Sequence, residues 1–473
     1  MADIAIKKTT GFGEKLAYGI GNVGDSIPYA LYTSFFLVYL TKIAGIPPGI
    51  AGIITAVPVI FNAFFDPVAG HVSDILKRKY GKRISLMGLI IIPYSVLTAL
   101  LYIPVGGGLS FKYVYYILLG LCFWTSYSFW VIPYLSLVID LTKNYEERNT
   151  LRMFSLIFSS VFGLFAFSGT LMVQDFFKGR GFSEEFAWAA SSIMCSIVTG
   201  LSLFTCYIGL KNKEKSNTEE NPDEKRENFF KVLKQCFKLK VFIQVIGICF
   251  TGVIASTLLQ SLQMYLFYDR LKMAETDISL FYIFIAVLGL SLTVVTTKFL
   301  NYFGKKETYL AASIICIIGC IVSWQIGITS YATIILLAVS AIIFMNTFGL
   351  VEVNLSYDVA EIFAFKYGKR QDASLVALNG VVYKLAAAAT TVIAGGLLSI
   401  IGFIEGGVTQ DQVVLERLDI IATLPMAGFC LCSCLITFFY PVTKKRYNML
   451  VDAAKARTEN RKYDEAEIAK LIK

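Results

Sequence analysis

Four ionisable side chains stand deep inside apolar stretches of this sequence: Asp25, Asp66, Glu352 and Lys384. A charge at the centre of a bilayer costs at least about 2.5–3.5 kcal/mol, so each needs a partner or a task. Three acids and one base spread along the chain suit an ion-coupled carrier, whereas a pore more often shows a ring of like charges. Asp66 has the most informative neighbourhood, Asn62-Ala63-Phe64-Phe65-Asp66-Pro67. Asn62 and Asp66 are four residues apart and share one helix face. Pro67 cannot donate a backbone hydrogen bond, which frees the carbonyl of Ala63 beside the carboxylate. A proton or a hard monovalent cation uses such oxygens.

Lys384 could neutralise Asp66 when no cation is bound, or hydrogen-bond a substrate; burial disfavours its charged form and a nearby carboxylate restores it. Asn22, Asp25 and Ser26 follow a glycine-rich face, Gly19, Gly21 and Gly24, that permits close helix approach. With Glu352 and Asn379 they are expected to contact a substrate. Trp124, Tyr127, Trp130 and Tyr134 recur every three to four residues on one span. Such a stripe stacks on the apolar face of a sugar ring or packs against neighbouring helices. Ser128 adds a hydroxyl there as a cation ligand.

These groups require membrane-spanning helices to position them. The 473 residues are 56% hydrophobic and only 16% charged, with a mean hydropathy of +0.64. Soluble domains carry about 25% charged residues. The apolar runs are long enough to cross a hydrocarbon core of about 30 Å as helices. Soluble enzymes, disordered chains and nucleic-acid binders are excluded. The runs fall near 17–41, 48–72, 84–104, 113–140, 151–174, 186–210, 241–268, 279–300, 308–328, 331–360, 374–402 and 419–441. Of the 43 Lys and Arg residues, 35 lie on the side of both termini. By the positive-inside rule both termini are expected in the cytoplasm, in an inner or plasma membrane. The net charge of +9 therefore reflects topology, and no nucleic acid partner is expected. Residues 1–15 are polar and show no apolar leader, so the first span is expected to insert directly. Catalytic chemistry has no foothold: His71 is the single histidine, and the ten cysteines form no CxxC pair or metal-binding spacing.

The chain also repeats. Tyr80-Gly81-Lys82-Arg83 has a counterpart 223 residues later in Phe303-Gly304-Lys305-Lys306, and Asp140 has one 218 residues later in Asp358. Two similar offsets imply a parallel six-plus-six duplication, the major facilitator arrangement. The expected organisation is an all-α membrane protein of twelve transmembrane helices. An N-terminal half spans 1–210, a cytoplasmic linker 211–240, a C-terminal half 241–441 and a helical, solvated tail 442–473. Charges cluster at the cytoplasmic helix ends: Asp74, Arg78, Arg83, Asp140, Arg148, Asp358, Glu361 and Arg370. They form either an inner gate or ordinary surface pairs.

Several of these segments carry a family likeness. Lys15-Leu16-Ala17-Tyr18-Gly19-Ile20-Gly21, Asp66-Pro67 with Gly70, Arg78-Lys79-Tyr80-Gly81-Lys82-Arg83, and Ile132-Pro133-Tyr134 with Ser136-Leu137 resemble the glycoside–pentoside–hexuronide:cation symporters, the melibiose-carrier-like family of the major facilitator superfamily. The resemblance implies cation-coupled sugar or glycoside uptake by alternating access, by a monomer surrounded by lipid and needing no cofactor beyond H+ or Na+. By position, Asp66 matches the second of two span-2 carboxylates that handle the cation, Ser128 a hydroxyl at that site, and Lys384 the span-11 lysine. Asn62 replaces the first carboxylate, which favours a proton over sodium at Asp66. The span-1 sugar-binding aspartate position holds Ser26. The span-4 acidic and tryptophan positions hold Val131 and Leu135, and the span-5 arginine position holds Leu156. These departures point away from simple galactosides and leave a lipid-like, amphipathic or organic-anion cargo as the alternative.

Overall fold

A computed structural model describes residues 10–80, 84–142, 145–213, 234–368 and 372–458. No strand occurs among them. Ten helices have the length and hydropathy to cross a membrane. Two of the twelve expected spans differ from the rest. Ile84–Leu100 is apolar but only 17 residues long. The first span is divided into α1 (Phe12–Gly21), α2 (Val23–Ser34) and α3 (Phe36–Lys42). The breaks fall at Asn22, with φ −74° and ψ −11°, and at Phe35, with φ −111° and ψ −24°. Glycines before the first break and Pro28 inside α2 weaken the continuous helix ladder.

The chain divides into two compact units. The first comprises Met1–Asn221 with Met273–Ile283 and Ile404–Val408. Its other helices are α4 (Pro48–Tyr80), α5 (Ile84–Leu100), α6 (Leu109–Leu141), α7 (Tyr145–Lys178) and α8 (Glu184–Leu210). Helix α4 lies along α6, while α1 and α2 pack on α7 and α8. The glycine face of the first span makes this packing possible. A Cβ on Gly24 would come within 2.0 Å of Leu203 and 3.0 Å of the Trp130 indole nitrogen. One on Gly21 would meet Cys206 at 2.6 Å. These glycines serve close helix approach, without a phosphate-binding strand–loop–helix context.

The second unit comprises Pro222–Lys272, Phe284–Phe403 and Thr409–Lys473. It holds α9 (Lys240–Tyr265), a π-helical turn at Leu266–Arg270, most of α10 (Glu275–Phe303), then α11 (Lys305–Ile326), α12 (Tyr331–Tyr367), α13 (Asp372–Ile400), α14 (Gln412–Phe438) and α15 (Lys444–Thr458). The tail helix α15 is docked, with Leu450 and Ala453 buried. Lys444 donates to the Asn301 carbonyl at 2.7 Å and Arg457 to the Phe365 carbonyl at 2.9 Å. Both carbonyls belong to the last turns of helices, where cations meet the negative end of the helix dipole. The linker read at 211–240 lies mostly outside the described residues.

At the other end of this unit Arg270 forks onto Asp419. Its Nε lies 3.1 Å from each carboxylate oxygen and a terminal nitrogen 2.8 Å from Oδ2. The Ile328 N–H also donates to Oδ2, at 3.2 Å. The two side chains are 10% and 5% exposed, so losing one partner strands a desolvated charge. Asp419→Ala is expected to lower stability by about 3–5 kcal/mol, and adding Arg270→Met to recover part of it. Thermal unfolding of both variants in detergent checks this.

Candidate functional site

In the first unit, α4 and α6 bring three of the sequence-selected side chains together. Asn62 and Ser128 are both fully buried. The Asn62 amide donates to the Trp124 carbonyl at 3.0 Å and to Ser128 Oγ at 2.5 Å. Ser128 in turn donates to Asp66 Oδ1 at 2.7 Å. This is a directed chain. The amide gives its proton to the hydroxyl, and the hydroxyl gives its own to the carboxylate. A carboxylate at position 62 has no hydrogen to give and would compete for the same Ser128 proton. Asp66 itself is half-buried, at the end of the chain.

Next to Ser128 on α6, Tyr127 donates to Asp25 Oδ1 at 2.6 Å. Aromatic rings cluster around Tyr127. Trp124 meets Tyr127 edge-on, with centroids 4.9 Å apart, and Tyr29 lies 6.1 Å from Trp124. Tyr94 crosses Tyr127 at 6.3 Å and donates to the Gly24 carbonyl at 2.9 Å. Two neighbours of Asp25 are occupied otherwise. Ser26 donates to the Asn22 carbonyl, and the Asn22 amide donates to the Ser155 carbonyl of α7. Further along the stripe, Trp130 is fully buried and stacked on Tyr134, whose hydroxyl bonds the Tyr18 carbonyl at 2.8 Å. That end of the stripe ties α6 to α1.

In the second unit, the Asn379 amide on α13 donates to Glu352 on α12, and the Cys249 thiol of α9 lies 4.0 Å from the same oxygen. Lys384 is half-buried on α13, five residues beyond Asn379. Asp66 belongs to the first unit and Lys384 to the second.

Of the charges grouped at helix ends, Asp358 is fully buried and bound by Lys305 and by the Tyr440 hydroxyl, 2.9 Å away. Glu361 joins Lys305, Asn354, Tyr357 and Tyr447 around a cavity of about 260 Å³ beside it. Arg148 donates to the Thr142 carbonyl at 2.9 Å. Arg83 and Arg370, and the side chains of Asp74, Arg78 and Asp140, lie outside the described residues. Sequence reading missed Lys305, Tyr440, Tyr29 and Tyr94. Lys305 was visible in the repeat as the counterpart of Lys82; the tyrosines carry no spacing signal that separates them from packing residues. Among the described residues no group of three or more His, Cys, Asp or Glu could hold a metal ion.

Comparison with known proteins places this geometry. A family model described as MFS/sugar transport protein matches residues 17–444. Among curated proteins, the chain is similar to an uncharacterized symporter of Bacillus subtilis, 25% identical over 95% of this chain and 97% of the other. It is also similar to two proteins of Escherichia coli. One is a putative sulfoquinovose importer, 23% identical over 94% of both chains. The other is a glucuronide carrier protein homolog, 25% identical over 92% of this chain and 94% of its own. Among solved structures, a bacterial homologue of the human lysosomal transporter Spinster superposes with a TM-score of 0.65 at 13% identity, covering 96% of this chain and 98% of that one. That likeness carries the fold alone.

The hydrogen-bonded chain makes a thermodynamic prediction. Asn62→Ala and Ser128→Ala each break one link, so the double variant is expected to be less damaged than the two single losses combined. A coupling of about 1–2 kcal/mol is expected in a double-mutant cycle read by thermal unfolding; additivity would show that the two groups act separately.

Proposed function

The chain belongs to the MFS/sugar transport protein family and is a multi-pass secondary transporter of sugar-like solutes, not an enzyme; we propose that it is a symporter whose coupling ion is a proton carried by Asp66. The observation that carries this reading is the direction of the Asn62–Ser128–Asp66 chain. A sodium ion needs several oxygens with their lone pairs turned inward, preferably two of them anionic. Here the hydroxyl nearest the carboxylate turns its hydrogen toward Asp66, and its neighbour is an amide donating N–H. The cation that suits such an environment is one that sits on the carboxylate itself.

In this reading the proton neutralises Asp66, and loss of the proton restores its charge. Asp25 and Tyr127, with the rings of Tyr29 and Trp124, supply the sugar-facing polar and stacking groups; Glu352 and Asn379 do so in the second unit. The named cargoes of the relatives, sulfoquinovose and glucuronide, support a monosaccharide or glycoside over a lipid-like solute. The distribution of basic residues supports a cytoplasmic placement of both termini in the cell membrane. The working unit is a monomer in lipid.

Reconstitution into proteoliposomes tests the coupling. An imposed inward proton gradient is expected to drive sugar accumulation, and a sodium gradient of equal size is not. Asp66→Asn is expected to abolish uphill accumulation while equilibrium exchange survives, because exchange needs no net ion movement. Unimpaired accumulation by that variant, or accumulation driven by sodium alone, would falsify the assignment.

A further inference from the structure

The end of the second unit that carries α15 gathers lysines whose partners hold them in place without neutralising them. Lys306, in the first turn of α11, donates to the carbonyls of Phe438 at 2.8 Å and Tyr440 at 2.7 Å. Lys444 donates to the Asn301 carbonyl at 2.7 Å. A carbonyl fixes a cation but, unlike a carboxylate, leaves its net charge in place. Lys445 is exposed and, among the described residues, makes no hydrogen bond or ion pair. Lys444 and Lys445 line a cavity of about 590 Å³ together with Phe303, Glu307, Thr443 and Asn448. We infer that this cavity binds the headgroup of an anionic phospholipid, of the phosphatidylglycerol type, from the leaflet at that end of the spans. The site depends on neither the sugar nor the coupling ion assigned above.

Charge, position and apolar surface together select a lipid. The lining carries two lysines against one acid, Glu307, and Lys306 precedes that acid in the chain. An anionic headgroup gains from this excess, whereas a zwitterionic one brings as much positive charge as negative. The cavity also sits where two apolar helices end, α10 at Phe303 and α14 at Phe438, each long enough to span a bilayer. Phosphate groups of a lipid stand at that level, just outside the hydrocarbon. The distribution of basic residues makes this the cytoplasmic leaflet. The apolar surface lies beside the lysines. Phe303 stacks on Phe299 with centroids 5.7 Å apart and meets Tyr302 edge-on at 4.7 Å. Tyr302 is 79% exposed and Phe439, at the end of α14, 71%. Exposed rings at span ends belong to the membrane interface, where glycerol and acyl carbons cover them. A free phosphate would occupy the lysines and leave these rings bare.

Native mass spectrometry of the full-length protein in neutral detergent tests the site. The protein is titrated with phosphatidylglycerol and, separately, with phosphatidylcholine of the same acyl chains. The first phosphatidylglycerol is expected to bind at least about tenfold more tightly than the first phosphatidylcholine. One lysine beside an anionic headgroup is worth about fivefold in affinity. Lys445→Gln is therefore expected to weaken phosphatidylglycerol binding about fivefold and Lys445→Glu more than about tenfold, with phosphatidylcholine binding unchanged. Glu307→Gln, which removes the opposing charge, is expected to strengthen it about two- to fivefold. Arg417 is exposed near the opposite end of α14, and Arg417→Gln is expected to change the affinity less than about twofold. Equal binding of the two lipids by the wild type would overturn the site. So would a loss in Arg417→Gln as large as in Lys445→Gln, which would mark general attraction to net charge. Displacement of phosphatidylglycerol by inorganic phosphate at constant ionic strength would overturn the lipid in favour of a free anion. Because Lys445 is exposed, its variants are expected to unfold at the wild-type temperature; a fall that accounts for the lost binding would overturn its role as a ligand.

Discussion

A serine hydroxyl has one hydrogen to give, and the Ser128 hydroxyl stands within reach of two acceptors, Asp66 Oδ1 at 2.7 Å and the Trp124 carbonyl at 3.2 Å, with the shorter contact to Asp66. The arrangement holds because Asn62 fills the acceptor side of the same oxygen. In a hydrocarbon environment an unsatisfied polar group costs several kcal/mol, so these bonds dictate how α4 and α6 meet. Asn62 also reaches the Trp124 carbonyl, which fixes the register of the two helices as well as their separation. Trp124, Tyr127 and Ser128 occupy little more than one turn of α6. The turn that orients the Asp66 acid therefore also carries the phenol on Asp25 and the rings around it. The Asn62–Ser128–Asp66 chain and the Tyr127–Asp25 bond are thus joined by one short stretch of helix.

The helix ends follow a different logic. There, polar groups meet water, and the chain uses long cations to close helix C-termini. Lys306 reaches the carbonyls of Phe438 and Tyr440, Lys444 that of Asn301, and Arg457 that of Phe365. Each places positive charge against the negative end of a helix dipole and satisfies a carbonyl that has no partner in its own helix. Lys305 differs, because it spends its charge on Asp358, a carboxylate buried with Tyr440 as its second donor. The tail helix α15 thus contributes to the second unit by caps and two buried side chains, a role its alternating charges did not reveal.

What was legible in the sequence was what composition and period control. Long apolar runs give spans, and a four-residue spacing puts Asn62 and Asp66 on one face. The resemblance in spans 1, 2 and 4 pointed to a major facilitator sugar carrier, and the family match bears that out. Other features depend on three-dimensional approach and left no period to read. The first span reads as one apolar run, yet it breaks at Asn22 and Phe35, because the pattern of hydrophobicity does not register an interruption of the regular helix. Trp124, Tyr127 and Trp130 look alike in the stripe. Only the fold separates the ring beside Asp25 from the one sealed against Gly24. The partners of Asp358 lie 53 residues before it and 82 after it, beyond any local signal.

The substitutions relative to the family's pattern form a consistent set when taken as charge rather than as missing parts. Asn62 removes one negative charge from the cation site and supplies a donor. Val131 and Leu156 stand where the resemblance places an acid on α6 and a base on α7. Asp25 stands one residue before the usual aspartate position, which Ser26 fills. On a helix one residue is a rotation of about 100°. That rotation turns the carboxylate onto Tyr127, while Ser26 folds back on its own helix through Asn22. Moving the acid therefore required a phenol to receive it and a small polar residue in the vacated place, and both are present. The first span thus holds its carboxylate on a tyrosine of α6, beside a cluster of rings.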